Sequence, residues 1–361
     1  MKQVDPIILC FHEEQEYLHF CTNLPKKIRK RMRHYPRWHC CAMEKDDYNH
    51  LKERMNQAEN QEHERKVSIE SNVQYHLHET VSANQQITPW GVSAVKAPEV
   101  WKISTGSGVR VGILDTGIDG KHPDLRENIK GGVNTVDRTS PFIDQNGHGT
   151  HVAGTVAALN NDYGVVGVAP NVELYALKAF SKDGSASLTD IAEAIHWAID
   201  HKIQIINMSF GSRETSTVLH RAIKEALKHG ILMIASSGNA AETLDYPAGH
   251  KEVLAVGAID RKGKVAEFSN FGRTLNYVQP GVDILSTWPT PPKYNVLSGT
   301  SMATPHLVGL CALLLSRAPH LTPVQVKHHL DRSTVKLNKI SSRRQGRGVV
   351  VASKLLAQLN D

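Results

Sequence analysis

From residue 109 onward the chain alternates short apolar runs with segments of helical spacing, and this alternation limits the fold more than any other feature. The strand-like runs are 109–114, 173–179, 203–208, 231–235 and 253–258. Between them, Leu188, Ile191, Ala192, Ile195, Ala198 and Ile199 fall at helical spacing, as do Val218, Leu219, Ala222, Ile223, Ala226 and Leu227. Strands apolar on both faces, each followed by a helix with one apolar face, form a parallel sheet covered on both sides. The expected class is therefore α/β, with a doubly wound parallel sheet. Thr322 ahead of Pro323 marks the N-cap and first residue of a further helix.

Three segments carry chemistry. The run from Val109 ends on Asp115, Thr116 and Gly117, so a buried strand delivers a carboxylate at its C-terminal tip, where open parallel sheets place their sites. Asn146-Gly147-His148-Gly149-Thr150-His151 puts a histidine at the mouth of an apolar, Ala-rich helix. Gly299-Thr300-Ser301-Met302-Ala303-Thr304-Pro305 sets a serine ahead of an apolar run from His306 to Leu315. Ser301 thus starts a helix, where orphan N–H groups and the helix dipole favour negative charge. A lone serine there is an N-cap. With Asp115 and His148 it makes an Asp, His, Ser order, one of the known chain orders of the catalytic triad.

On these segments the chain resembles the subtilisin-like serine proteases, the subtilase family, over nearly all of residues 85–361. The resemblance implies a serine endopeptidase acting through an acyl-enzyme on protein and peptide substrates. Ser301 would be the nucleophile, His148 the general base and acid, and Asp115 the group that orients the imidazole. Asn239, which follows Gly238 at the end of a buried strand, falls at the family's oxyanion-hole position, beside the backbone N–H of Ser301. Ser209-Phe210-Gly211, and Gly184 with Ser185 in the run 182–186, resemble the two segments that hold an extended peptide. Asp245 falls in the lining of the primary specificity pocket, where the family often has glycine. A carboxylate there either pairs with a basic substrate side chain or faces solvent.

The resemblance also implies a Ca²⁺ site. The run 159–165 resembles the family's calcium loop. Its ligands would be the carbonyls of Leu159, Tyr163 and Val165, the side chains of Asn161 and Gln86, and the carboxylate of Asp124. Oxygen donors of this kind suit that cation. Zinc is excluded on spacing: His148 and His151 are three apart, with no acidic partner between them and no cysteine pair nearby.

Residues 1–84 differ in composition, being rich in charged residues and histidine and holding four of the five cysteines. Their pattern reads strand 6–11, helix 13–31, strand 38–43, helix 47–58, then mixed extended chain 66–77. That order resembles the small α+β, ferredoxin-like prodomain of subtilases, a folding chaperone and intramolecular inhibitor; the rival is an unrelated regulatory domain. The expected organisation is a prodomain over 1–77, a linker with the self-cleavage bond over 78–84, and a catalytic domain over 85–361.

Net charge is +6, and the basic run from Lys26 to Arg33 lacks the interleaved aromatics of a nucleic-acid surface, so it reads as a solvated helix end or a cleavage site. No stretch reaches the ~20 apolar residues of a membrane span. Cys311 alone lies in the catalytic part, and the N-terminus shows no signal-peptide pattern. These features favour a cytoplasmic protein, with leaderless release or a misplaced start codon as the alternative, and a monomer is expected. A lipase-type elbow is absent around Ser301. A catalytically silent subtilase fold used for binding is the remaining rival, although each residue of the triad and the oxyanion amide is in place.

Overall fold

The computed structural model describes residues 6–56, 67–71, 74–77, 88–289, 291 and 293–359. The strands of the larger unit are β6 (Arg110–Asp115), β7 (Ile129–Asn134), β8 (Glu173–Lys178), β10 (Ile205–Met208), β12 (Leu232–Ser236), β13 (Leu254–Ile259) and β14 (Leu275–Pro280). They form one seven-stranded sheet in the order β14-β13-β12-β10-β6-β8-β7. Every neighbouring pair is parallel. Helices α3 (His148–Ala157) and α6 (Thr300–Arg317) cover one face. Helices α4 (Leu188–Asp200) and α5 (Thr217–Lys228) cover the other. Alternate residues of one strand serve the two layers: Ile113 faces α3 and α6, and Leu114 faces α4 and α5. This is the doubly wound architecture that the alternation predicts. Helix α7 (Pro323–Arg332) begins with a full capping box, Thr322 with Gln325, as Thr322-Pro323 foretells.

Two sheet strands escape the sequence pattern. β7 reads Ile-Lys-Gly-Gly-Val-Asn and lies at the sheet edge, so it needs no continuous apolar run. β14 mixes Asn276 and Gln279 among apolar residues and forms the opposite edge.

The N-terminal unit contains β1 (Pro6–Phe11), α1 (Glu14–Asn23), β2 (Arg33–Tyr35), β3 (Cys40–Glu44), α2 (Lys45–Asn56) and β4 (Val67–Ser71). Its antiparallel sheet has the order β2-β3-β1-β4. The expected single strand between the helices is therefore a hairpin, whose first arm is only three residues long. The expected helix 13–31 ends at Asn23, because Pro25 restricts the residue before it and Leu24 is extended. A separate short turn of helix follows at Lys26–Arg29. The basic run is not wholly solvated either: Arg33 reaches Asp190 at 2.8 Å and Thr189 at 3.1 Å in the larger unit. One face of the small sheet packs on α1 and α2 through Leu9, Phe11, Cys41 and Met43. The other buries Ile8, Cys10, Trp38 and Cys40 against α4 and α5.

Candidate active site

Asp115 ends β6 where the strand order reverses, with β8 and β7 on one side and β10 on the other. Side chains at such a switch point stand in the crevice beyond the strand ends. The Asp115 carboxylate is fully buried and accepts the Thr116 N–H at 2.8 Å. His148 opens α3, and its Nδ1 lies 2.8 Å from Asp115 Oδ1 and 2.9 Å from Oδ2. A carboxylate on Nδ1 makes that atom the donor and leaves Nε2 as the basic nitrogen. Nε2 is buried, with no hydrogen-bond partner among the described residues. The helix approaches β6 this closely because of Gly149: a Cβ there would lie 2.2 Å from the Gly117 carbonyl oxygen.

Asp144, which no motif in the sequence singles out, sets the start of α3. Its Oδ2 accepts the Thr150 N–H at 2.9 Å and the Thr150 hydroxyl at 2.6 Å. Its Oδ1 accepts the N–H groups of Asn146 and Gly147, both at 2.9 Å. One buried carboxylate thus holds the loop that projects His148 and satisfies an orphan donor of the first helical turn. Lys178 ends β8 as a buried cation, its ammonium donating to the carbonyls of Thr116 and Phe180. Burial pushes its pKa down, with Asp144 and Asp115 opposing.

Ser301 is the second residue of α6 and is fully buried. Its hydroxyl donates to the Ser209 carbonyl at 3.0 Å, and the Ser209 hydroxyl donates to the Ser301 carbonyl at 2.9 Å. The Ser301 hydroxyl therefore faces the chain just beyond β10. Asn239 Oδ1 accepts the N–H and the hydroxyl of Thr300, both at 2.9 Å. Thr300 Oγ1 in turn accepts the Gly238 N–H at 3.2 Å. With its oxygen tied to the first turn of α6, the Asn239 amide is held with its nitrogen on the far side. Thr300 is a second positioning residue that generic Gly-Thr-Ser sequence does not reveal.

The two peptide-like edges are β9 (Ser185–Ser187), which follows Gly184, and β11 (Phe210–Gly211), which follows Ser209. Between them runs β5 (Gln74–Leu77), antiparallel to both. Leu77 pairs with Phe210 and His76 with Gly211; Tyr75 pairs with Ala186 and His76 with Ser185. Residues 78–84 lie outside the described residues.

Asp245 is half-buried, and its N–H donates to the Ser237 carbonyl at 3.0 Å. Its carboxylate packs on the Gly238 backbone, since a Cβ on Gly238 would lie 2.4 Å from Asp245 Oδ2. Asp245 also lines an open cavity of about 330 Å³ with Arg213, Glu242, Tyr246 and Arg273.

The remaining histidines near the site have structural partners. His151 Nε2 meets the Ile284 carbonyl at 2.9 Å, and His306 Nδ1 meets that of Met302 at 2.9 Å. Burial lowers His151 to about 3 and His306 to about 4. His122 Nε2 meets the Lys293 carbonyl at 2.8 Å. Among the described residues, no group of three or more His, Cys, Asp or Glu side chains is arranged to hold a metal.

Asp124 is buried, and its Oδ2 accepts the Val165 N–H at 2.9 Å and the Tyr294 hydroxyl at 3.0 Å. Among the described residues its buried Oδ1 has no partner. Asn161 Oδ1 accepts the Tyr163 N–H at 3.2 Å, which bends the loop locally. A hard cation fits here, because it would satisfy the orphaned carboxylate oxygen with the help of loop oxygens. Gln86 lies outside the described residues.

A parallel sheet with a buried carboxylate at its switch point, an imidazole on it and a serine at a helix start define a hydrolase-type α/β cleft. Residues 106–348 match the family model described as the subtilase family, and the chain belongs to that family. It is 45% identical over 269 residues to subtilisin BL of Lederbergia lenta, covering 74% of this chain and 98% of that protein. It is 45% identical over 274 residues to an alkaline protease of Alkalihalobacillus alcalophilus, covering 75% of this chain and 70% of the relative. A thermostable alkaline protease of Halalkalibacterium halodurans is 42% identical over 289 residues, 80% of this chain and 76% of the relative. No helix among the described residues is long and apolar enough to cross a membrane.

Proposed function

We propose that this chain is a serine endopeptidase made as a self-inhibited zymogen, with residues 1–77 as inhibitor, 78–84 as the self-cleaved linker and 85–361 as catalytic domain. The observation that carries the catalytic reading is the buried Asp115–His148 pair, whose Nε2 has no partner among the described residues in the family's cleft. Names of relatives as subtilisins and alkaline proteases support it.

Rotation of the Ser301 side chain moves its hydroxyl from the Ser209 carbonyl to His148 Nε2. The imidazole takes the proton as Ser301 Oγ attacks the scissile carbonyl, and Asp115 stabilises the imidazolium. The Asn239 amide and the Ser301 N–H stabilise the oxyanion. The imidazolium then protonates the leaving amine, and water, activated in the same way, releases the acyl group from Ser301. Substrate adds a strand between β9 and β11 at Gly184, Ser185, Ser209, Phe210 and Gly211.

In the uncut chain β5 fills that place. The small sheet is anchored by Glu70 at the start of α5, by Arg33 on Asp190, and by Arg37 on Asp200 at 2.7 Å. Asp245, whose carboxylate packs beside the Gly238 backbone that leads into Asn239, is read as allowing some basic residues ahead of the scissile bond, with a solvent-facing role as the alternative. Ca²⁺ would be held by Asp124, Asn161, Gln86 and the carbonyls of Leu159, Tyr163 and Val165, supplying a cross-link that rigidifies the loop.

A fluorophosphonate probe tests the reading. It should label Ser301 in the processed protein, and mass spectrometry should show cleavage between residues 77 and 85 that Ser301→Ala abolishes. An unlabelled, uncut wild-type chain would favour the catalytically silent alternative.

A further inference from the structure

Four cysteines sit in the N-terminal unit, none is in a disulfide, and the mechanism uses none of them. Two of the four, Cys10 and Cys40, face each other across β1 and β3. The Phe11 N–H donates to the His39 carbonyl at 2.8 Å, one residue beyond this pair. Cys10 and Cys40 are therefore a non-hydrogen-bonded cross-strand pair, the kind whose Cα atoms lie about 4.5 Å apart with their side chains closest. That spacing falls at the short end of the range a disulfide spans. The two strands are the central pair of the sheet.

Both thiols point into the seam with the larger unit and are wholly buried there. Arg221 of α5 closes over them, donating to the carbonyls of Phe11 and Trp38 at 3.1 Å each and approaching Cys40 Sγ at 3.5 Å. The Cys40 thiol donates to the Trp38 carbonyl at 2.9 Å. Its contact with Cys10, together with burial, pushes the Cys10 thiol well above its ordinary range. The pair is thus shielded while the small unit is docked, and it reacts through the transient openings of the intact chain that expose it.

We propose that Cys10 and Cys40 are a disulfide-forming site that oxidised low-molecular-weight disulfides modify, and that the bond prolongs inhibition by the N-terminal unit. The second half rests on the zymogen reading above. One cysteine thiolate attacks a sulfur of the small disulfide, forming a mixed disulfide and releasing one thiol. The second cysteine then attacks the protein sulfur of that intermediate and releases the second thiol. Two protein thiols are oxidised and one small disulfide is reduced to two thiols. The bond staples β1 to β3 and closes a loop of about 30 residues, which lowers the population of unfolded inhibitor open to digestion.

The test uses the full chain. Ser301→Ala protein is incubated with oxidised glutathione, and its disulfides are mapped by mass spectrometry without reduction. A peptide linking Cys10 to Cys40 is expected; its absence, or linkage only of Cys21 to Cys41, overturns the inference whatever the activity does. In wild-type chain the same treatment should slow the appearance of activity at least tenfold, dithiothreitol should restore the rate, and Cys10→Val and Cys40→Ala chains should not respond. A mapped bond with an unchanged activation rate overturns the regulatory half. Full activity from the first moment in uncut, unoxidised chain would instead overturn the zymogen reading, and the mapping separates that failure from a failure of the site.

Discussion

Glu70 and Thr217 join the two units of the chain at a helix start: Glu70 Oε1 accepts the Thr217 N–H at 2.9 Å, while Oε2 accepts the Ser216 hydroxyl at 2.8 Å. Ser216 itself caps α5 by accepting the Leu219 N–H at 3.2 Å. A carboxylate from one unit thereby satisfies an orphan N–H of the other, at the positive end of a twelve-residue helix. Such contacts contribute about 1 kcal/mol each. Glu70→Ala should therefore shorten the lag before activity appears by roughly fivefold, with no change in kcat of the processed enzyme. A lag unchanged by the substitution would show that the cap does not hold the inhibitor.

Asn239 and Thr300 can be separated by kinetics. Asn239→Leu keeps the size of the side chain and removes the amide. It should lower kcat by roughly 10²–10³ with KM nearly constant, the loss seen when a subtilisin oxyanion donor is removed. Thr300→Val removes the hydroxyl that fixes Asn239 Oδ1 and should cost about tenfold, a loss restored by Thr300→Ser. Equal losses in both variants would place Thr300 in the reaction itself.

The parts of this molecule that were legible in sequence are those that depend on continuous local chemistry. β6 announces itself because the run from Val111 to Leu114 is buried and apolar, and Asp115 stands out as a buried acid at its end. α6 is legible because sixteen successive residues from Thr300 are buried. β7 was illegible because a sheet edge demands little of its side chains, and Gly131 and Gly132 dilute what signal remains. The hairpin arm Arg33–Tyr35 was missed because it is short and polar, held by its pairing with β3. Asp144 is inconspicuous in sequence because a loop aspartate has no distinctive neighbours; its importance exists only after Asn146, Gly147 and Thr150 converge on it. Glu70 is the same case across two units.

Asp144 provides a stability test tied to catalysis. Asp144→Ala strips four hydrogen bonds from a buried carboxylate and leaves the donors of Asn146, Gly147 and Thr150 to find water. A cost of about 2 kcal/mol is expected. For a unit of this size that lowers Tm by roughly 4–8 °C. Because His148 follows this loop directly, kcat should fall more than tenfold at temperatures where the variant is fully folded. Normal kcat in a destabilised variant would make Asp144 purely structural.

Chelation tests the Asp124 loop. If a cation satisfies Asp124 Oδ1, excess EGTA should lower Tm by several degrees and calcium should restore it in a concentration-dependent way, since a ligand of the folded state alone adds RT ln(1 + [L]/Kd). Asp124→Asn should abolish the calcium response. A Tm indifferent to both chelator and calcium would assign the orphaned oxygen to a water instead.

Acid stability follows from His151 and His306. Both are fully buried, and burial lowers them to about 3 and about 4 from an ordinary value of 6.5. The unfolded chain protonates each near pH 6.5 while the folded chain keeps it neutral, so between these limits the unfolded state binds more protons. Stability is then full above pH 6.5, falls as the pH drops toward 4 to 3, and levels off for these groups below that. Each histidine contributes a slope of about 1.4 kcal/mol per pH unit at most. Denaturant unfolding of Ser301→Ala chain between pH 7 and pH 4.5 should show this decline. His306→Gln should flatten it by up to one proton, because the glutamine does not titrate. A pH dependence identical in the two proteins would mean that His306 is already protonated in the fold, against its seat beneath Gly91, where a Cβ would lie only 2.3 Å from the ring nitrogen.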